Sequence, residues 1–207
     1  MISVLIFTHA TLGGTALVSG LISMLVKKGN NTHKRSGLVF FYSMTLCALS
    51  AMTISVLPNH VNPFLFSIGI FSLYFVLTGK RALNFKKQKN NLRIDRLISI
   101  SMIFTGILMI LLPIITMRSI NIVLLVFAVI GISFSIRDLI LFSKPQKLKN
   151  GWLKLHLGKM VGAYISASTA FVVVNELLPS FYGWFIPGII GSIIITYWLR
   201  KVSYNIP

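Results

Sequence analysis

Residues 97–142 read LISISMIFTGILMILLPIITMRSINIVLLVFAVIGISFSIRDLILF, and Arg118, Ser119 and Asn121 interrupt this apolar run near its middle. A helix needs about 20 apolar residues to cross the roughly 30 Å hydrocarbon layer of a bilayer. At about 45 residues, the run is far too long for a single crossing. It therefore predicts two membrane spans that are joined by a short polar break.

Working outward from this run, we find seven apolar stretches of membrane-spanning length. They predict an all-α, polytopic transmembrane helix bundle that forms a single integral membrane domain over residues 1–207. No basic region precedes the first stretch, so we expect a retained span there rather than a signal peptide. The predicted spans are 2–26, 37–57, 63–79, 97–117, 120–142, 156–178 and 184–200.

The composition supports the same class of protein. The chain has 55% hydrophobic and 11% charged residues, whereas a soluble domain has about 25% charged residues. The single cysteine, Cys47, excludes a disulfide framework and a cysteine-based zinc site. Much of the surface must therefore face lipid.

The chain has 20 Lys and Arg residues, against 3 Asp and Glu, and 17 of the 20 follow the odd-numbered spans. By the positive-inside rule, this distribution predicts an outside N-terminus and a cytoplasmic C-terminus in a bacterial inner membrane. It also predicts anionic lipid headgroups, and no nucleic acid, as the partner of the basic loops. These loop residues are Lys27, Lys28, Lys34, Arg35, Lys80, Arg81, Lys86, Lys87, Lys89, Arg93, Arg96, Lys144, Lys147, Lys149, Lys154, Arg200 and Lys201.

The two halves of the chain share a pattern. A basic loop precedes His33 in the first half and His156 in the second, and a tyrosine follows each histidine at nearly the same offset. We interpret this pattern as a parallel 3+1+3 repeat with halves 1–81 and 120–201, in which the fourth span is the joint. Chance alignment of apolar helices with polar ends is the alternative.

Ionisable groups within membrane spans are costly, so each one is a candidate for function. His33 and His156 stand at equivalent points of the repeat, and Met160 follows His156 by one helical turn. Such ligands suit a haem b iron or a soft metal ion such as copper. His9 is a further candidate, on a face of small residues that points to a neighbouring helix. For His9 the alternative is a structural hydrogen bond, and for Met160 it is chance spacing.

Asp138 lies near the inner end of span five. It could meet His33, His156 or Lys159 across a helix contact, where a carboxylate would orient an imidazole. With zinc and the two histidines it would complete a three-ligand hydrolytic site. Pairing of Asp138 with a loop lysine is the alternative.

Span six also carries groups that could contact a small solute between the halves. These are Tyr164, Ser166, Thr169 and Asn175. The chain contains no Walker A loop, Rossmann glycine pattern, His-Glu-x-x-His or Gly-x-Ser-x-Gly motif.

Short motifs in both halves resemble an uncharacterised family of bacterial multi-pass membrane proteins, the domain of unknown function 2306. The resemblance implies a polytopic membrane protein, without an established activity. The repeat is similar in plan to sugar transporters of the SWEET type, and the seven spans with His and Asp resemble membrane zinc hydrolases of the alkaline ceramidase type. The motifs are His9-Ala10, Gly13-Gly14, Lys28-Gly29, the run from His33 to Gly37, and the run from His156 through Tyr164 and Thr169-Ala170-Phe171 to Asn175.

The sequence thus leaves the function open between classes. A histidine-ligated haem or metal protein with a redox or binding role is the first expectation. A small-solute transporter, a membrane zinc hydrolase, and a non-catalytic subunit of a homo-oligomer or membrane complex are the alternatives. Whether the protein is an enzyme stays undecided at this level.

Overall fold

The computed structural model describes residues 2–87 and 91–204, so that Lys89 of the second basic loop lies outside the described residues. Within these ranges the chain forms seven helices, each long and apolar enough to cross a membrane, which confirms the predicted fold class. The helices are α1 (Ile2–Leu25), α2 (Asn31–Ile54), α3 (Pro63–Arg81), α4 (Arg93–Met117), α5 (Ile122–Phe142), α6 (Pro145–Val174) and α7 (Ser180–Tyr204).

The break between α4 and α5 lies where the sequence predicts it. Arg118 ends α4 in the left-handed conformation, with φ of 49°, and its backbone N–H donates to the carbonyl of Ile114. Asn121 then caps α5, because its side chain accepts a hydrogen bond from the backbone N–H of Leu124. A turn of this kind reverses the chain within a few residues, so the long apolar run forms two helices.

Helix α6 begins 11 residues before the predicted span, at Pro145 instead of 156. Hydropathy misses this extension because residues 145–155 are rich in lysine, although they keep helical periodicity. Their apolar side, with Leu148 and Trp152, packs against Phe142 and the 3-10 turn Ala82–Lys86 that follows α3. The extension therefore forms a second small core beyond the end of α3.

Helices α3 and α6 form the centre of the bundle and run antiparallel to each other. Ser72 of α3 bonds to Ser166 of α6, while Gly79 lies beside His156 further along. Helices α1 and α2 pack on one side of this central pair, and α4 and α5 pack on the other. The turns that follow α1, α3 and α5 lie at one end of the bundle together with the last turns of α7, and we call this end the basic end.

The two predicted halves pack differently. Helix α1 packs along much of α2, whereas α5, its counterpart in the repeat, touches α6 at few positions. His33 bonds to the preceding helix, at Ser23, whereas His156 bonds to Gly79 of α3 instead of to α5. The repeat with halves 1–81 and 120–201 stays a prediction.

Candidate functional site

A groove of about 1280 Å³ opens on the side of the bundle between α5 and α7. Helix α7 packs against α6, where Gly191 allows close approach: a Cβ there would lie 2.2 Å from Ile165. At the start of α7, the Trp184 ring packs edge-on against Phe64 and Phe127, with centroids 5.1 Å and 6.1 Å away. This contact lies at the end of the groove opposite the basic end. We call the cavity the lateral groove.

The lateral groove has an apolar wall on each side and a floor of small side chains. From Trp184 to Arg200 it follows about 24 Å of α7, as given by the helical rise. Its floor includes Gly158, Gly162, Ser166 and Thr169 of α6, with Phe71 and Phe75 of α3, and its α5 wall is Val126, Phe127, Ile130 and Phe134. Because α6 presents small residues here, α5 and α7 do not close over it.

The predicted solute-binding residues of α6 separate in the structure. Ser166 and Thr169 line the lateral groove, although the Ser166 hydroxyl is already bonded to that of Ser72 at 2.5 Å. Tyr164 faces the other side of α6, against Gly20 and Phe40. Asn175 caps α6 at an exposed position and donates to the carbonyl of Phe171 at 2.8 Å. The structure thus brings two of these four residues to one cavity.

At the basic end, Arg200 and Lys201 line the mouth of the lateral groove. The Lys201 ammonium lies 5.1 Å from the centroid of the Trp198 ring, and the Lys28 ammonium lies 4.4 Å from the same centroid. Lys28 comes from the turn between α1 and α2, so two chain segments bring their cations to one aromatic ring. We call Lys28, Trp198, Arg200 and Lys201 the basic mouth.

A buried ion pair lies beside the floor of the groove. The Lys159 ammonium is 2.5 Å from Oδ2 of Asp138, and the Tyr74 hydroxyl donates to the same oxygen at 2.6 Å. Lys159 also bonds to the Tyr74 hydroxyl, and the exposed fractions of the three residues are 2–4%. The ammonium lies 5.5 Å and 5.2 Å from the centroids of Phe75 and Phe134, which line the groove. We call Tyr74, Asp138 and Lys159 the buried triad.

The triad joins three helices, since Tyr74 is on α3, Asp138 on α5 and Lys159 on α6. Of the three partners that the sequence allowed for Asp138, the structure shows Lys159. Sequence reasoning named Lys159 as one possible partner of Asp138, but it did not place Tyr74 beside them. A lysine three residues beyond His156 in an apolar helix was the available signal, because a buried ammonium requires a partner and the chain has 3 acidic residues.

The other two acidic residues lie apart from the lateral groove. Asp95, which is 1% exposed, binds the Arg81 guanidinium through two bonds of 2.7 Å and joins α3 to α4. Glu176 is exposed in the turn after α6, at the end opposite the basic end. The chain therefore supplies no side-chain carboxylate to the basic mouth.

The predicted cofactor ligands lie at separate helix contacts. The Nδ1 atom of His156 bonds to the carbonyl of Gly79 at 2.8 Å, and Met160 packs on the same glycine. Nδ1 of His33 bonds to the carbonyl of Ser23 at 2.9 Å. A carbonyl can only accept, so Nδ1 carries the proton in both rings and the lone pair lies on Nε2.

His9 lies between α1 and α2, where its Nδ1 is 3.0 Å from the carbonyl of Cys47 and from the Ser50 hydroxyl. This contact matches the structural alternative for His9. Among the described residues, no three His, Cys, Asp or Glu side chains are grouped to hold a metal ion. The zinc arrangement of His33, His156 and Asp138 is therefore not assembled.

Comparisons of the chain with protein-family models, with curated proteins and with solved structures return no match. The resemblance to the domain of unknown function 2306 stays a prediction.

We expect the buried triad to contribute stability as a unit. Either Asp138→Asn or Lys159→Met alone should destabilise the protein by about 3–5 kcal/mol, because each leaves a buried group without its counter-charge. The double variant should lose clearly less stability than the sum of the losses in the two single variants. Unfolding of the purified protein in mild detergent, analysed as a double-mutant cycle, measures this coupling.

Tyr74→Phe serves as the matched control, since it keeps the ion pair and removes one hydroxyl. It should lower the free energy of unfolding by about 1 kcal/mol. Additive losses in the double variant would contradict the coupling.

Proposed function

We propose that the protein binds one amphipathic lipid molecule in the lateral groove, with the lipid chain entering sideways from the bilayer. The observation that carries this proposal is the groove itself: it runs along α7 from Trp184 to the basic end, is partly open, and is lined mainly by apolar side chains. Its volume of about 1280 Å³ exceeds the roughly 300–1,000 Å³ that is typical of small-molecule sites. A small polar solute would leave most of this surface without a matching partner.

The proposal modifies the transporter alternative. Ser166 and Thr169 lie in the groove as that alternative requires, but they are surrounded by phenylalanine, isoleucine and glycine. Such a lining favours a hydrocarbon chain over a sugar or an ion. The function best supported is therefore lipid binding.

The basic end faces the cytoplasm of a bacterial inner membrane in this proposal. The support is the distribution of charge, because Arg118 is the one Lys or Arg in the turns at the opposite end. The N-terminus then lies outside and the C-terminus inside. The lateral groove accordingly has its mouth in the cytoplasmic leaflet.

A second candidate function is haem or metal binding by His33 and His156. One observation favours it: each ring donates from Nδ1 to a backbone carbonyl, as metal-ligating histidines commonly do.

If the groove binds a lipid, a phospholipid with brominated chains should quench the fluorescence of Trp184, and the quenching should saturate. In detergent, Trp152→Phe with Trp198→Phe leaves Trp184, which lines the groove at the end opposite the basic end, as the single tryptophan. Gly188→Leu should weaken binding by about tenfold, because Gly188 lines the groove and its Cβ direction is open. Fluorescence titration measures the affinity.

Gly14→Leu is the matched control, since Gly14 is equally open but lies on α1, away from the groove. Quenching that rises linearly without saturation, or that is the same in the Gly188→Leu variant, would show that no bound lipid occupies the groove.

The proposed orientation predicts one-sided labelling. In a Cys47→Ser background, a thiol reagent that cannot pass the membrane should label His60→Cys in intact cells and should leave Asn150→Cys unlabelled until the cells are opened. Both positions are exposed, at opposite ends of the bundle. The reverse labelling pattern would show that the basic end faces the outside of the cell and would contradict the proposed orientation.

The second candidate predicts a haem absorption band, or about one metal ion per chain, in the purified protein. His33→Ala and His156→Ala should each remove it, whereas His60→Ala, an exposed histidine at the other end, should keep it. Absence of both haem and metal after expression with iron and copper supplied would refute this function.

A further inference from the structure

The basic mouth brings two ammonium groups to one tryptophan ring, and a third cation, adjacent in sequence to one of them, lines the lateral groove. Lys28 and Lys201 lie 4.4 Å and 5.1 Å from the Trp198 centroid, and Arg200 lines the groove beside Lys201. The Lys28 ammonium also donates to the carbonyls of Ser23 and Met24. An ammonium has three protons, so one donor of Lys28 stays available.

These cations have no side-chain counter-charge within the chain. It contains 3 acidic residues, of which Asp95 is bound to Arg81 and Asp138 to Lys159. Glu176 is at the opposite end of the bundle. Burial lowers the pKa of the Lys28 ammonium, as expected for a partly desolvated cation without a carboxylate beside it. Among the described residues, no side-chain carboxylate neutralises these cations. Their positive charge can therefore attract an anionic ligand.

We infer that the lipid in the lateral groove is an anionic phospholipid, with its phosphate held in the basic mouth between Lys28, Arg200 and Lys201. This inference rests on the proposed function, because the chain of the same lipid occupies the groove. Arg200 and Lys201 line the basic end of the groove, so a molecule in the groove contacts both, and Lys28 shares the Trp198 ring with Lys201. Charge complementarity selects the headgroup, and the apolar walls hold the chain.

The three side chains suit a phosphate for different reasons. The Arg200 guanidinium presents a planar fork that matches two phosphate oxygens, while each lysine acts as a mobile point charge. Trp198 has the amphipathic ring that favours the membrane interface, where a phospholipid headgroup lies. Basic pockets between helices on the cytoplasmic side are suited to anionic headgroups.

The test compares two lipids that differ only in headgroup. The Trp184 reporter protein is titrated in detergent with phosphatidylglycerol and with phosphatidylcholine, both carrying the same brominated chains. Because this reporter replaces Trp198, a residue of the basic mouth, the titration is repeated with the Trp152→Phe protein, which keeps Trp198, and we expect the same preference. We expect phosphatidylglycerol to bind at least about tenfold more tightly at low salt, and we expect this preference to shrink as salt rises.

The paired variant Arg200→Gln with Lys201→Gln should weaken phosphatidylglycerol binding about 30-fold and leave phosphatidylcholine binding nearly unchanged. Lys28→Gln should weaken it about fivefold. Lys34→Gln with Arg35→Gln is the matched control, because it removes an adjacent lysine and arginine from the basic end outside the groove; it should keep the preference.

The outcomes separate the two proposals. Equal, saturable binding of both lipids would overturn the headgroup assignment and keep the groove as a lipid site. Absence of saturable binding by either lipid would overturn both. An equal loss in the Lys34 and Arg35 control would show diffuse attraction and overturn the basic mouth, and stronger competition by a free fatty acid would overturn the phosphate assignment.

Discussion

The ion pair between Lys159 and Asp138 is the contact on which the shape of the bundle's second half depends. Helix α5 touches the central helix α6 at few positions, and this pair, with Tyr74 from α3, joins all three helices inside the apolar interior. A buried ammonium without a counter-charge would be costly, so the pair holds α5 at a set position. The α5 wall of the lateral groove follows from that position.

Small residues decide where helices meet and where they stay apart. On α1, Gly20 lets the rings of Phe40 and Tyr164 lie against the backbone. At Gly158 of α6, by contrast, an added Cβ atom would have no side chain of α5 or α7 within 4 Å, so the space beside it is open. The same residue type thus closes one helix contact and leaves the other as a groove, according to the size of the neighbouring side chains.

The candidate site could be predicted from sequence in part. Ser166 and Thr169 were expected to contact a ligand, and both lie in the lateral groove; Tyr164 points to α1 and α2. The helical period of α6 does not by itself say which neighbouring helix each of its faces meets. The sequence predicted Lys28, Arg200 and Lys201 as basic loop residues. It did not predict that Lys28, from a distant part of the chain, lies beside Trp198.

Local properties of the chain determined the membrane class, the number of helices and the break at Arg118, because hydropathy, length and capping depend on neighbouring residues. They also fixed how few carboxylates the protein has. Tertiary packing alone decided that Asp138 meets Lys159, that α7 stands away from α5, and that Lys28 and Lys201 share the ring of Trp198 near the end of the groove. These features depend on contacts between residues far apart in the chain, and in an almost uniformly apolar sequence many helix pairings satisfy the same local pattern.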